Sequence, residues 1–275
     1  MKIINTLVKL RQTLAPHNDI AFVPTMGNLH AGHLALVKQA REHAKTVVVS
    51  IFVNPLQFGE NEDFSDYPRT LQADAEKLEN LADVIFAPSA EEIYPHPLTE
   101  TTQVIVPQLG DILCGASRHG HFNGVTTVVA KLFNMVQPQV ALFGQKDYQQ
   151  LTIIKRMVAD LALPINIISI PIYRENDGLA MSSRNGYLTA KHRQIAPEFY
   201  RSLQAIQQAV KAGDTDYRQL EQQAQQRLIQ HGFAPEYISV RDAQTLNEAQ
   251  ADNKNPILLA VARLGTTRLL DNIRL

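Results

Sequence analysis

Two hydrophobic patterns alternate along the first 170 residues: short unbroken apolar runs, and longer stretches where apolar residues recur every three or four positions. The runs Ile20-Ala21-Phe22-Val23 and Thr46-Val47-Val48-Val49-Ser50-Ile51-Phe52-Val53 predict strands covered on both faces, because polar residues do not alternate with apolar ones. Val84-Ile85-Phe86, Val140-Ala141-Leu142-Phe143 and residues 165–170 continue the series. Helical spacing predicts helices over 6–14, with Leu7, Leu10 and Leu14 on one face, and over 34–44, 68–81, 125–136 and 151–161. Strand, helix, strand in succession implies parallel pairing with right-handed crossovers. With at least four βα repeats, the fold class is α/β, a Rossmann-like doubly wound parallel sheet. Between these elements the chain predicts a proline-spaced loop over 88–97, an edge strand over 103–106, and an irregular, glycine-hinged mobile loop over 113–124. Residues 60–67 are rich in acids and aromatics.

The pattern changes after Ile172. A polar linker over 173–178 is followed by helical spacing over 190–210 and 217–230. Strands are predicted over 237–241, 257–263 and 267–273, the last two joined by a turn at Leu264-Gly265. This is a smaller C-terminal α+β domain of about 100 residues. The expected division is 1–174 and 175–275.

Composition narrows the function classes. A net charge of −1 gives no broad electrostatic footprint for nucleic acid. Cys114 is the single cysteine, which excludes an intrachain disulfide framework and fits a reducing cytosol; it suits a loop passenger better than a nucleophile. The apolar run over 47–53 is too short to span a bilayer. Met1-Lys2-Ile3-Ile4-Asn5, soon followed by Lys9 and Arg11, lacks a signal-peptide core. The expectation is a cytoplasmic protein with no membrane association.

Candidate chemistry concentrates just past the predicted strands. In Phe22-Val23-Pro24-Thr25-Met26-Gly27-Asn28-Leu29-His30-Ala31-Gly32-His33-Leu34, a strand end passes through a tight turn into a helix. Unpaired N–H groups at such a helix start favour a phosphate. His30 and His33 are three residues apart and share a helix face, from which imidazoles can stabilise charge on a breaking phosphate ester. Two surface histidines on an ordinary helix fit the same spacing, whereas a zinc site lacks the glutamate of HExxH. Gln57, past the second strand, suits either a polar substrate or its own loop. Gly144-Gln145-Lys146-Asp147-Tyr148-Gln149-Gln150 follows another strand; Lys146 can neutralise phosphate and Asp147 can cap a helix, or both can be plain surface residues. Met181-Ser182-Ser183-Arg184-Asn185 joins hydroxyls to a guanidinium, a grip for polyphosphate or a simple cap. His119 and His121 are ligands or solvated side chains.

The motif His30-Ala31-Gly32-His33 resembles the HxGH signature of the nucleotidyltransferase superfamily that includes class I aminoacyl-tRNA synthetases. Met181-Ser182-Ser183-Arg184 resembles the counterpart of their KMSKS loop. More narrowly, residues 24–30, Phe52-Val53-Asn54-Pro55-Leu56-Gln57-Phe58, residues 144–150 and Leu179-Ala180-Met181-Ser182-Ser183-Arg184-Asn185 together resemble the pantothenate synthetase family, in the same order and nearly end to end. The resemblance implies that ATP and pantoate give pantoyl adenylate and pyrophosphate, after which the amine of β-alanine displaces AMP. It implies that Met26, Gly27, Asn28, Leu29, His30, Ala31, Gly32 and His33 line ATP, with His33 as general acid or electrophilic group. Gly144, Gln145, Lys146, Asp147, Met181, Ser182, Ser183 and Arg184 also hold ATP in that resemblance, and the backbone of Tyr173 meets adenine. His30, Lys146 and Arg184 join His33 as the catalytic set, and Gln57 and Gln150 bind pantoate. Mg²⁺ and a homodimer are implied too, with 1–174 as the nucleotide- and pantoate-binding domain and 175–275 as a lid. Two departures stand out. The family's PGHFRG loop reads His119-Gly120-His121-Phe122-Asn123-Gly124, and Gln145 replaces a frequent glutamate. The remaining alternatives are another HxGH nucleotidyltransferase with a phosphate acceptor, an RNA-binding module, and a zinc hydrolase built on His30, His33, His119 and His121.

Overall fold

The apolar runs assemble into a parallel sheet of six strands, β1 Lys2–Ile4, β2 Ile20–Thr25, β3 Thr46–Ile51, β4 Val84–Phe86, β5 Val140–Gly144 and β6 Asn166–Ile170. The computed structural model describes residues 1–59, 62 and 64–275. Glu60, Asn61 and Asp63, part of the acidic and aromatic stretch, lie outside the described residues. By its contacts the chain forms two compact units, Met1–Gln145 with Gln149–Ile170, and Lys146–Tyr148 with Pro171–Leu275.

In the first unit the strand order is β1-β4-β3-β2-β5-β6, and every pairing is parallel. The connecting helices are α1 Leu7–Leu14, α2 Ala31–His43, α3 Leu71–Leu78, α4 His121–Val136 and α5 Tyr148–Asp160. Alternate residues of β2 face opposite layers. Ala21 and Val23 pack with Val37 and Ala40 of α2 and Leu78 of α3, while Phe22 meets the edge of Phe133 from α4, ring centroids 6.3 Å apart. Cover on both faces explains the lack of polar alternation in the strands. Strand β1 went unforeseen, being three residues long with only Ile4 buried.

Four expectations are corrected. Residues 103–106 form no strand, and threonine side chains of α4 take both backbone groups of Val104: its N–H donates to Thr127 Oγ1 at 3.0 Å, and Thr126 Oγ1 donates to Val104 O. The 113–124 segment is partly helical: a turn at Cys114–Ser117, then α4 starting at His121 after Gly120 at φ 75°. Helix α3 begins three residues after Pro68, at Leu71, and its end tightens through Glu79 N–H to Glu76 O. The helix expected over 190–210 is two, α6 Ala190–Ile195 and α7 Pro197–Lys211. Pro197 has no N–H to continue a helix but suits the first position of a new one.

The second unit is an antiparallel sheet, β7 Phe233–Asp242, β8 Pro256–Leu264 and β9 Thr267–Arg274, with β8 central. Its core joins Phe199 and Leu203 of α7 and Leu220 and Leu228 of α8 (Tyr217–Gln230) to Val240, Leu258, Ala260 and Leu269 of the sheet. Among the described residues no helix is long and apolar enough to cross a membrane.

Gly124 shows how tightly the first unit is closed. A Cβ at that position would lie 2.2 Å from the carbonyl oxygen of Leu56. Gly124→Ala should therefore cost about 1–3 kcal/mol of stability, the usual size of overpacking. An unchanged denaturant midpoint would contradict this packing.

Candidate active site

The sheet changes direction between β2 and β5. The chain steps from β2 to β3 on one side, and later returns to pair β5 with the other side of β2. Ligands of open parallel sheets bind at such a switch point, beyond the carboxyl ends of the strands. The Met26–His33 turn leaves β2 there, and Gly144 and Gln145 leave the adjacent β5.

A buried carboxylate shapes the turn. Asn28 N–H donates to Asp74 Oδ2 and Leu29 N–H donates to Asp74 Oδ1, both at 2.8 Å. Asp74, on α3, is fully buried. Thr70 Oγ1 donates to its Oδ2 at 2.9 Å, and Lys77 Nζ, 3.7 Å from Oδ1, donates to Leu29 O. Two amides, a hydroxyl and a neighbouring ammonium satisfy the buried carboxylate. Gly27 and Asn28 have φ of 84° and 49°. A Cβ on Gly27 would meet Asp74 Oδ2 at 3.2 Å and Ile51 Cγ2 at 3.1 Å, so glycine meets both the conformation and the close approach.

His30 is the N-cap of α2, which therefore starts at Ala31, earlier than the expected 34. Gly32 N–H donates to His30 Nδ1 at 3.2 Å, and His30 N–H donates to His33 Nδ1 at 3.3 Å. The two imidazoles form a reciprocal capping box, ring centroids 4.0 Å apart. Because each Nδ1 accepts a backbone N–H, each neutral ring carries its proton on Nε2. The sequence-level pair of histidines is thus one structural unit with defined tautomers.

Gln57 lies beside the turn: its Nε2 donates to Met26 Sδ at 2.9 Å, and its Oε1 accepts from Asn54 Nδ2 at 3.2 Å. Buried Asn54 also donates to Gly124 O and accepts from Tyr94 Oη at 2.7 Å. Burial pushes the Tyr94 hydroxyl well above its ordinary pKa, so it remains a donor. A clasp closes over the same loop. Arg118 Nε and Nη2 pair with Glu62, Nη1 donates to His121 Nε2 at 2.8 Å, and His121 Nδ1 donates to Gln57 O at 2.7 Å. Burial acts to raise the Glu62 carboxyl, but the bonds and charge of Arg118 outweigh it and hold the group below its usual value. His121 is thus neither solvated nor aimed at a metal. Gln149 is buried and holds the 109–114 backbone, donating to Leu109 O and Ile112 O and accepting from Cys114 N–H. Gln150 is half-buried in the first turn of α5, and Gln145 Nε2 donates to Ser169 Oγ.

Lys146, Asp147, Tyr173, Met181, Ser182, Ser183 and Arg184 belong to the second unit. A hairpin carries the last four: Arg174 bridges to Ala180, and Met181 N–H donates to Tyr173 O at 2.9 Å. The segment 173–178, expected as a linker, is one arm and the turn of this hairpin. Ser182 Oγ accepts from Arg184 N–H at 3.3 Å and caps a helical turn, Ser183–Tyr187. Asn185 Nδ2 donates to Ala180 O and to Glu175 Oε1, folding the serines back on the hairpin. Among the described residues no group of three or more His, Cys, Asp or Glu side chains is placed to hold a metal ion, so His30, His33, His119 and His121 do not form a zinc centre.

Asp74, Asn54, Arg118 and Gln149 were not singled out from sequence. Asn54 and Gln149 sit inside the motif blocks 52–58 and 144–150; Asp74 and Arg118 act across long loops and carry no local signal.

A helix start opening at the switch point of a parallel sheet places the protein in the doubly wound α/β class, in which that geometry suits phosphate-bearing ligands. The family model of pantoate–β-alanine ligase matches residues 2–274, and the chain belongs to that family. Similar proteins include a pantothenate synthetase from Idiomarina loihiensis, 50% identical over 275 residues covering 100% of this chain and 98% of the relative. Another, from Pseudomonas fluorescens, is 53% identical over 280 residues with the same coverage. Among solved structures, a pantothenate synthetase of Thermus thermophilus superposes with a TM-score of 0.95 at 43% identity, covering 99% of both chains. A pantoate–β-alanine ligase of Francisella tularensis, complexed with β-γ ATP and β-alanine, superposes at 0.81 with 34% identity, covering 100% of this chain and 97% of that one.

Asp74→Ala should destabilise the protein by about 3 kcal/mol or more, since two buried N–H groups lose a charged acceptor. Asp74→Asn, which keeps one acceptor, should lose about half as much. Chemical denaturation measures both, and a change within about 0.5 kcal/mol for Asp74→Ala would remove Asp74 as the organiser of the turn.

Proposed function

We infer that this chain is an ATP-dependent ligase that joins pantoate to β-alanine, giving pantothenate, AMP and pyrophosphate. The observation that carries the inference is the imidazole pair at the start of α2, both rings accepting a backbone N–H at Nδ1, in a turn at the switch point. Family membership and the ATP- and β-alanine-bound Francisella relative support it.

The reaction proceeds through an acyl adenylate. A carboxylate oxygen of pantoate attacks the α-phosphorus, the bond to the bridging oxygen of the β-phosphate breaks, and pyrophosphate leaves. The uncharged amine of β-alanine then attacks the acyl carbon. The bond from that carbon to the AMP oxygen breaks and the amine gives up its proton. The first step brings negative charge onto a polyanion, so it needs donors preset where charge accumulates. His33 and His30 donate from Nε2, while Lys146 and Arg184 supply fixed positive charge. The turn from Met26 to His33, Gly144 to Asp147, the Tyr173 backbone and Met181 to Ser183 hold the rest of ATP. Gln57, fixed between Met26 and Asn54, and Gln150 bind pantoate. The second step draws mainly on proximity, so it needs no strong base.

The described residues offer no protein cage for a metal. Mg²⁺, which typically keeps water and substrate phosphates as ligands, would be held mainly by the ATP phosphates and would offset their charge. A cytoplasmic homodimer is the setting that the family resemblance implies. A nucleotidyltransferase with a phosphate acceptor is less well supported, because the two residues assigned to the acceptor, Gln57 and Gln150, are both neutral and polar.

AMP formation should depend on both pantoate and β-alanine; AMP formed without either substrate would overturn the assignment. His33→Ala should slow pyrophosphate release with pantoate on the order of 10²–10³-fold, as for the loss of one preset donor. A wild-type rate would reject that role. Gln57→Ala should weaken pantoate binding about tenfold while leaving ATP binding nearly unchanged. Equal losses in separate titrations would contradict the placement.

A further inference from the structure

Adenylation as proposed needs two separate pieces of the second unit, Lys146 and the Met181–Arg184 turn, held in fixed relation. Strand β9 touches the supports of both. It is an edge strand paired with β8 alone. Asp271, on β9, is fully buried and forms a bidentate pair with Arg174: Nη1 donates to Oδ2 at 2.6 Å and Nη2 to Oδ1 at 2.9 Å. Asn272 N–H donates to Asp271 Oδ1 at 2.7 Å, and Arg174 Nη2 also donates to Asn272 O at 3.3 Å.

From this centre one arm runs to each piece. The Arg174 guanidinium stacks on the Tyr200 ring, 3.6 Å from its centroid, and donates to Gly178 O. Arg174 itself bridges to Ala180, the residue before Met181. The guanidinium is thereby held on four sides and fixes the hairpin that ends in the Met181–Arg184 turn. On the other arm, Asn272 Nδ2 donates to Lys146 O at 2.9 Å. The flank of Lys146 is fixed as well, since Tyr148 Oη donates to Ala243 O and accepts from Arg274 Nη2.

Stability alone does not call for this arrangement. Apolar residues packed at the same places commonly stabilise as well as a buried ion pair does. A bidentate, stacked guanidinium supplies direction instead. We propose that Asp271 and Asn272 are positioning residues for adenylate formation, Asp271 setting the Met181–Arg184 turn through Arg174 and Asn272 setting the backbone of Lys146. Both roles rest on the ATP site proposed above.

The test is a double-mutant cycle on the full-length protein, read as pantoate-dependent release of labelled pyrophosphate. Asn272→Ala should slow release about tenfold and leave the KM for pantoate unchanged. In a Lys146→Ala background the same substitution should have almost no further effect, because Asn272 acts through Lys146. An equal factor in both backgrounds would overturn the proposal and mark Asn272 as merely structural. Lys146→Ala at the wild-type rate would instead overturn the placement of Lys146 on ATP, a distinct result. Asp271→Asn should raise the KM for ATP and spare that for pantoate; parallel increases in both would remove Asp271. Asn272→Ala leaves the buried Arg174–Asp271 pair intact, so the cycle stands even where Asp271→Asn fails to fold.

Discussion

The turn at the carboxyl end of β2 depends on one buried carboxylate. Asp74 accepts the N–H groups of Asn28 and Leu29, and so holds a turn whose two preceding corners sit at positive φ. Without an acceptor at that point the turn would bury two orphan amides, and the chain would have no reason to enter α2 at His30. With it, the two imidazoles lock onto backbone N–H groups through Nδ1 and keep their protons on Nε2. A carboxylate on α3 thereby shapes the turn that presents the two histidines at the start of α2.

The same economy of construction recurs in the loops that flank the turn. Asn54 links Gln57, Tyr94 and the Gly124 carbonyl, and Arg118 with His121 ties down the carbonyl of Gln57 from the other side. In the second unit the buried Arg174–Asp271 pair does for the hairpin what Asp74 does for the turn. In each case a polar side chain within the protein, satisfied by several partners, fixes a loop that carries chemistry. Such groups lose solvation on burial and are tolerable only when their hydrogen bonds are complete.

What was legible in the sequence follows from the range of the forces involved. The strands at 20, 46, 84 and 140 could be read because burial on both faces leaves an unbroken apolar run. The Gly27-Asn28 turn and the HxGH pair could be read because glycine, proline and histidine carry local conformational and chemical signals. Val104 was misread as strand because its hydrogen bonds go to Thr126 and Thr127, residues with no local tie to it. His121 had no visible role, since its partners Arg118 and Gln57 meet only after folding. Asp74 looked like any acidic residue of a helix face; its burial depends on α3 packing beneath a turn formed by a distant stretch. The resemblance to the pantothenate synthetase family supplied the reaction, which spacing alone left open among nucleotidyl transfer, RNA binding and zinc hydrolysis.

In the proposed reaction, pantoate is activated by a bond from its carboxylate to the α-phosphorus of ATP. Turnover of pantoate labelled with ¹⁸O in both carboxylate oxygens, with β-alanine and ATP, tests it most directly, by mass spectrometry of the AMP. An acyl adenylate leaves one labelled oxygen on AMP when the amine displaces it. AMP free of label would contradict the account.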